Sequence, residues 1–195
     1  MPLLGPADSL PHVPRRVLVA GNTGSGKSTL SQRVADQLGL RNVELDALFH
    51  GPQWTPRPEF AADVGRLVAE PRWVTQWQYK EVRPLLLAHA DTLVWLDHSF
   101  GCVMTRLVVR TVRRRAARVE LWNGNFESPL WTMFTDREHI LRWGWKTFRR
   151  TRERIRRVVE DGQIVVVRLR GQREVEQWLA GPLSVAAGAG EERAR

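Results

Sequence analysis

Apolar residues recur along the chain in short runs separated by longer stretches of helical period. The run "RRVLVA" (15–20) is continuous and β-branched, the pattern of a strand buried on both faces. Beyond it Leu30, Val34 and Leu38 recur at i, i+4 and i+8, predicting one face of a helix from Lys27 to about 38 that stops at Gly39. "NVELD" (42–46) reads as a second short strand ending on an acid, followed by the proline-rich loop "GPQWTPRP" and a helix over about 59–69. A third strand is predicted over 72–78 ("RWVTQWQ") and a helix over 81–90, with Pro84 in its first turn where no donor is lost. "TLVWLD" (92–97) is a fourth strand, and a basic helix spans roughly 99–118 before "ELWNGNFESPLW" interrupts with an Asn-Gly turn. A long helix over about 136–161, a fifth strand "QIVVVRL" and a closing helix "REVEQWLA" complete the pattern.

Strands alternating with helices at this spacing predict an α/β fold, a five-stranded parallel sheet with helices on both faces. Right-handed crossovers leave few topologies for it. Residues 1–14 carry four prolines and no periodicity and read as a flexible leader. Residues 15–180 read as one domain, and 181–195, rich in Gly and Ala, as a flexible tail. No internal repeat is present.

Composition narrows the class. A length of 195 residues suits one domain with a substantial core, and 43% hydrophobic residues exclude a disordered chain. Nine tryptophans against one tyrosine suggest large apolar contacts or stacking surfaces. The single cysteine, Cys102, excludes an internal disulfide framework and fits a reducing cytosol; its apolar helical setting favours a buried, inert thiol over a nucleophile. The amino terminus lacks the basic and apolar segments of a secretory signal, and no apolar run approaches the ~18 residues of a membrane span, so the expected location is cytoplasmic. The five histidines show no ligand-like pairing.

The net charge of +9, from 30 basic and 21 acidic residues, is concentrated in two blocks. One is Arg106, Arg110, Arg113, Arg114, Arg115 and Arg118; the other runs from Arg142 and Lys146 through Arg149, Arg150, Arg152, Arg154, Arg156 and Arg157. Such blocks attract polyanions, either the phosphates of a nucleotide or a nucleic-acid backbone. For most of the arginines singly, a solvated helix face is the simpler reading.

The most specific chemistry lies in "GNTGSGKS" (21–28), which fits G-x-x-x-x-G-K-[ST] at every fixed position, with a strand before and a helix after. Gly21, Gly24 and Gly26 let the backbone curl so that successive N–H groups, including those of Asn22, Thr23 and Ser25, face an anion. The helix starting near Lys27 adds its positive end. Lys27 is expected to reach the β- and γ-phosphates of a bound ATP, Ser28 to ligate Mg²⁺ and Thr29 to meet the α-phosphate.

A second Mg²⁺ anchor is ordinarily an acid at the end of a neighbouring strand. The third strand offers Gln76 there, which shifts weight to Asp46. It would hold a metal-bound water, accept a proton from an attacking hydroxyl, or both; the alternative is an N-cap for the turn "ALF". Asp97 reads rather as the cap of the next helix.

Two arginines stand on apolar faces. Arg152 lies within the stripe of Leu141, Trp145, Phe148, Ile155 and Val159, and Arg114 continues the face of Phe100, Val103, Met104 and Leu107 with Arg110 at its edge. An inward charge needs an anionic partner. Arg110, Arg114, Arg149 and Arg152 are therefore the candidates to close on phosphates from a lid, against the alternative of snorkelling to solvent.

The order of these parts resembles the P-loop nucleoside-monophosphate-kinase-like group, and within it the small bacterial proteins called adenylate-kinase-like or DNA topology modulation proteins. The residues that carry it are "GNTGSGKSTL", "ELDALF" with Trp54, "RWVTQWQY", "HADTLVWLD", "RTVRRR" and "VVVRLRGQREVEQWL", together covering about residues 15–180. The resemblance implies strand order 2-3-1-4-5, an acceptor site over 46–83, an arginine-rich lid over 113–140, and adenine packed near Leu169 to Gln172. Arg83 is a candidate acceptor-phosphate ligand, the alternative being an arginine solvated at the start of a helix. Relatives carry Asp-Gly-Asn-Tyr or an acid where this chain has Gln76, Trp77, Gln78 and Tyr79, a departure that bears on Mg²⁺ anchoring. The expected function is an ATP-binding phosphotransferase acting on a small acceptor. The alternative is a nucleic-acid-associated or regulatory NTPase with weak or degenerate kinase activity.

Overall fold

The structure, a computed structural model, describes residues 3–117, 120–125 and 140–192. Its centre is a six-stranded, wholly parallel sheet: β1 (Leu3–Leu4), β2 (Arg16–Gly21), β3 (Arg41–Val43), β4 (Trp73–Gln76), β5 (Thr92–Leu96) and β6 (Val165–Leu169), in the order β1-β6-β5-β2-β4-β3. The five expected strands are present and, counted among themselves, lie in the order 2-3-1-4-5. The sixth corrects the count: Leu3 and Leu4 of the expected loose leader pair with Val166 and Val167 along the open side of β6. Two residues carry no readable period, so only the apolar edge awaiting them explains the pairing.

The helices are α1 (Lys27–Leu38), α2 (Leu45–Phe49), α3 (Phe60–Ala69), α4 (Arg83–His89), α5 (Phe100–Ala116), α6 (Ile140–Asp161), α7 (Gln172–Trp178) and α8 (Ser184–Glu192). Alternation along the strands sorts them to two faces. Leu18, Ala20, Leu93 and Trp95 pack with α3, α4 and α6 through residues such as Val64, Leu86 and Ile155. Val17, Val19, Val94 and Val167 face the other way, onto Leu30 and Val34 of α1 and Val175 and Trp178 of α7. Both faces are covered, which is why the strand sequences read as unbroken apolar runs.

The expected tail is also part of the body. A π-turn over Leu179–Leu183 leads into α8; Leu179, Leu183 and Ala186 are buried, and Gly190 approaches Val13 of the leader. Of the expected lid, residues 118–119 and 126–139 lie outside the described residues. Among the described residues no helix is long and apolar enough to cross a membrane.

Candidate functional site

The carboxyl ends of β2 and β4 converge on the loop Gly21–Ser28. Gly26 caps α1 at φ +96° with nothing within 4 Å of a would-be Cβ, so the backbone conformation alone calls for glycine there. Gly24 (φ +86°) is crowded as well: a Cβ would stand 2.8 Å from the Val103 carbonyl oxygen and 2.9 Å from the Leu107 Cβ, because α5 lies directly on the loop. Ser25 N–H donates to the Asn22 carbonyl at 3.0 Å. Asn22 and Ser25 are buried, and their Oδ1 and Oγ atoms have no hydrogen-bond partner among the described residues. Lys27 Nζ donates to the Asn22 carbonyl at 3.1 Å. Burial pulls its ammonium down to about 8, with Arg110 adding to the fall and Asp46 opposing it. Ser28 and Thr29 are exposed at the start of α1.

Gln76, at the end of β4, donates from Nε2 to Ser28 Oγ at 3.0 Å. Asp46 is not at a strand end as expected: β3 stops at Val43, Glu44 takes the N-cap position without a side-chain cap bond, and Asp46 lies in the first turn of α2. Its Oδ1 accepts from Gln78 Nε2 at 2.7 Å and from the Tyr79 hydroxyl at 2.6 Å. The Tyr79 hydroxyl, 3.2 Å from His50 Nε2, is pushed well above its usual range by burial first and the Asp46 charge second. Phe49 stacks on Tyr79 with centroids 4.2 Å apart.

The four arginine candidates separate. Arg110 and Arg114 are half-buried on the α5 face of Val103 and Leu107, and the charge of Arg110 acts on Lys27. Arg149 is exposed. Arg152 is inward-facing as its position in the stripe indicates, but its partner is Asp97: its Nε donates to Oδ1 at 2.6 Å. Arg168 Nε donates to the other oxygen at 2.8 Å while lying over the Trp95 ring. Asp97, 4% exposed, is therefore no helix cap; that place belongs to Ser99, whose Oγ accepts from the Cys102 N–H.

Residues 120–125 seat against the Glu44–Thr55 segment, an arrangement the sequence reading missed. Trp122 Nε1 donates to Glu44 Oε2 at 2.7 Å, and Asn123 Nδ2 donates to the His50 carbonyl. Asn125, buried, donates to the Gly51 carbonyl at 2.9 Å and accepts from the Trp54 N–H at 2.9 Å. All four non-glycine residues with positive φ among the described residues, Gln53, Trp54, Tyr79 and Asn123, lie in this neighbourhood. Strained backbone held by surrounding bonds is a mark of functional sites. The Asn-Gly pair and the prolines announced two turns; nothing in the sequence announced that they meet.

No family model and no curated protein matches the chain. Among solved structures, a gluconokinase from Sinorhizobium meliloti 1021 is similar over 93% of this chain and 98% of its own, at 20% identity and a TM-score of 0.52. A shikimate kinase from Bacteroides thetaiotaomicron is similar over 86% of this chain and 95% of its own, at 11% identity and a TM-score of 0.50. The narrower resemblance to adenylate-kinase-like proteins gains nothing from these two. What they establish is the architecture: this chain has the fold of small kinases, with the Gly21–Ser28 loop joining β2 to α1.

Proposed function

We propose that the chain binds ATP with Mg²⁺ and transfers the γ-phosphoryl group to a hydroxyl of a small acceptor. One observation carries this reading: a half-buried ammonium, Lys27, is held by the Asn22 carbonyl inside the glycine-rich loop, and a positioned carboxylate, Asp46, acts on it. A triphosphate supplies the anion that the Lys27 ammonium and the unpartnered Ser25 hydroxyl lack. The loop residues Gly21 to Thr29 hold its phosphates. Arg110 and Arg114, with Arg149 from α6, stabilise the charge that develops on the transferring group.

The donor set suits Mg²⁺, which prefers hard oxygen ligands and takes most of them from phosphates and water. The Ser28 hydroxyl and the Asp46 carboxylate would hold it, with Gln76 orienting the hydroxyl through its amide. Bound there, the ion neutralises charge on the β- and γ-phosphates. Gln78 and Tyr79 occupy Oδ1 of Asp46, which leaves Oδ2 to take the proton of the acceptor hydroxyl. Arg152 is assigned to Asp97 rather than to phosphate. The alternative, a nucleic-acid-associated NTPase, draws on the exposed Arg113, Arg115, Arg149, Arg156 and Arg157 of α5 and α6; it predicts nucleic-acid binding with a steep salt slope.

The deciding measurement is ADP release across a panel of sugars, sugar acids and nucleosides. One acceptor is expected to stimulate it, with Lys27→Ala abolishing the effect and Asp46→Asn lowering kcat by about 10²–10⁴-fold while nucleotide still binds. ADP release that no acceptor raises above background overturns the reading.

A further inference from the structure

A second group of cations stands apart from the phosphate loop. Arg150, Arg154 and Arg157 recur at i, i+4 and i+7 on α6, where with Glu153 they line an open recess. Arg83, the first residue of α4, adds its charge to that of Arg154, and its guanidinium lies 5.8 Å from the Trp77 ring centroid. Arg83 and Arg154 are half-buried, Arg150 and Arg157 exposed. Among the described residues none of the four pairs with a carboxylate.

Three other partly buried arginines meet carboxylates. Arg57 meets Asp63, and Arg152 and Arg168 share Asp97. Burial pulls both the Arg83 and the Arg154 guanidinium below the usual range. Neighbouring cations deepen the fall, Arg154 for Arg83 and Arg150 and Arg157 for Arg154. Glu81 offsets part of this at Arg83, and Glu153 is the one carboxylate at the recess. Arginines on a solvated helix face splay outward, as Arg149 and Arg156 do. Like charges gathered with two of them partly buried are costly unless an anion joins them.

We propose that Arg83, Arg150, Arg154 and Arg157 form a second anion site, one that takes a phosphate or carboxylate group of a small ligand. Three guanidiniums of α6 around the recess, with the half-buried Arg83 acting on Arg154 from α4, suit a compact oxyanion, which the guanidinium fork grips through two oxygens at once. A polymer backbone would instead be read by the exposed arginines alone. The recess is lined by α6 alone, and neither the loop 21–29 nor Asp46 contributes to it. The proposal therefore does not rest on the kinase reading.

The test is calorimetry on the full chain in the Lys27→Ala background, with inorganic pyrophosphate as the phosphate probe and citrate as the carboxylate probe. Pyrophosphate uptake is expected to survive Lys27→Ala, and Arg83→Gln with Arg154→Gln is expected to weaken it at least tenfold. In the otherwise native chain, the double variant should bind a non-hydrolysable ATP analogue as before. Binding of citrate with the same sensitivity assigns the site to carboxylates as well; pyrophosphate binding alone restricts it to phosphates. Should the double variant fail to fold, Arg150→Gln with Arg157→Gln supplies the same comparison from the mouth of the recess. No uptake of either probe, or uptake indifferent to these substitutions, overturns the proposal. So does tight binding of a duplex oligonucleotide that displaces pyrophosphate, since it returns the arginines to a polymer surface.

Discussion

Lys27 is where residue-scale physics bears most directly on function. Its ammonium is lowered from 10.5 to about 8, chiefly by burial. A lysine depressed in this way binds its proton less tightly folded than unfolded. The cost of burying the charge is therefore fully present below pH 8 and is relieved as pH rises toward 10.5, so the empty chain gains stability across that window. On the proposed reading, a triphosphate reverses the shift by giving the ammonium an anion. Near pH 8, nucleotide binding should accordingly take up about half a proton per site, and near pH 6 almost none. Calorimetry in two buffers of different ionisation enthalpy reads this directly. Lys27→Met should remove the uptake. An uptake unchanged between pH 6 and 8 would mean that the ammonium is already satisfied in the empty loop.

At the scale of elements, what decides the site is which element reaches which. α5 rests on Gly24, α6 is fastened to the end of β5 through Arg152 and Asp97, and β6 joins that node through Arg168. Asp97→Ala would leave two arginines without their carboxylate at a buried position, a loss of about 3–5 kcal/mol in denaturant unfolding. Asp97→Asn, which keeps an acceptor oxygen, should cost less. Much of this scale was legible. The loop 21–28 between strand and helix was readable because glycine, lysine and hydroxyl residues at fixed spacing serve one local geometry. The helical period also showed that Arg152 points inward. Its partner was not legible, because Asp97 lies 55 residues away in sequence and only the sheet brings the two together. The same holds for Asp46: its acid was noticed, but its donors Gln78 and Tyr79 come from the loop after β4.

At the scale of the whole molecule, the segments 3–14 and 179–192 close the fold rather than trail from it. The leader adds β1 to the edge of β6, and the segment after α7 buries Leu183 among Val17, Val167 and Trp178 on the α1 face of the sheet. Neither contribution shows in a periodic pattern: β1 is two residues long, and the Gly- and Ala-rich end resembles a linker until its apolar residues are matched to a surface. The matching surface is specific. Leu183 is 0% exposed, whereas Val185, two residues on, is 74% exposed. Leu183→Ala should therefore remove about 2–5 kcal/mol, combining lost burial with the cavity left behind. Val185→Ala should stay within about 0.5 kcal/mol of the parent. Urea unfolding separates the two, since a lower midpoint at unchanged slope reports lost stability of the same folded state. Equal and small effects at both positions would return residues 181–192 to the status of an appendage, and the core of the α1 face would then end at Leu179.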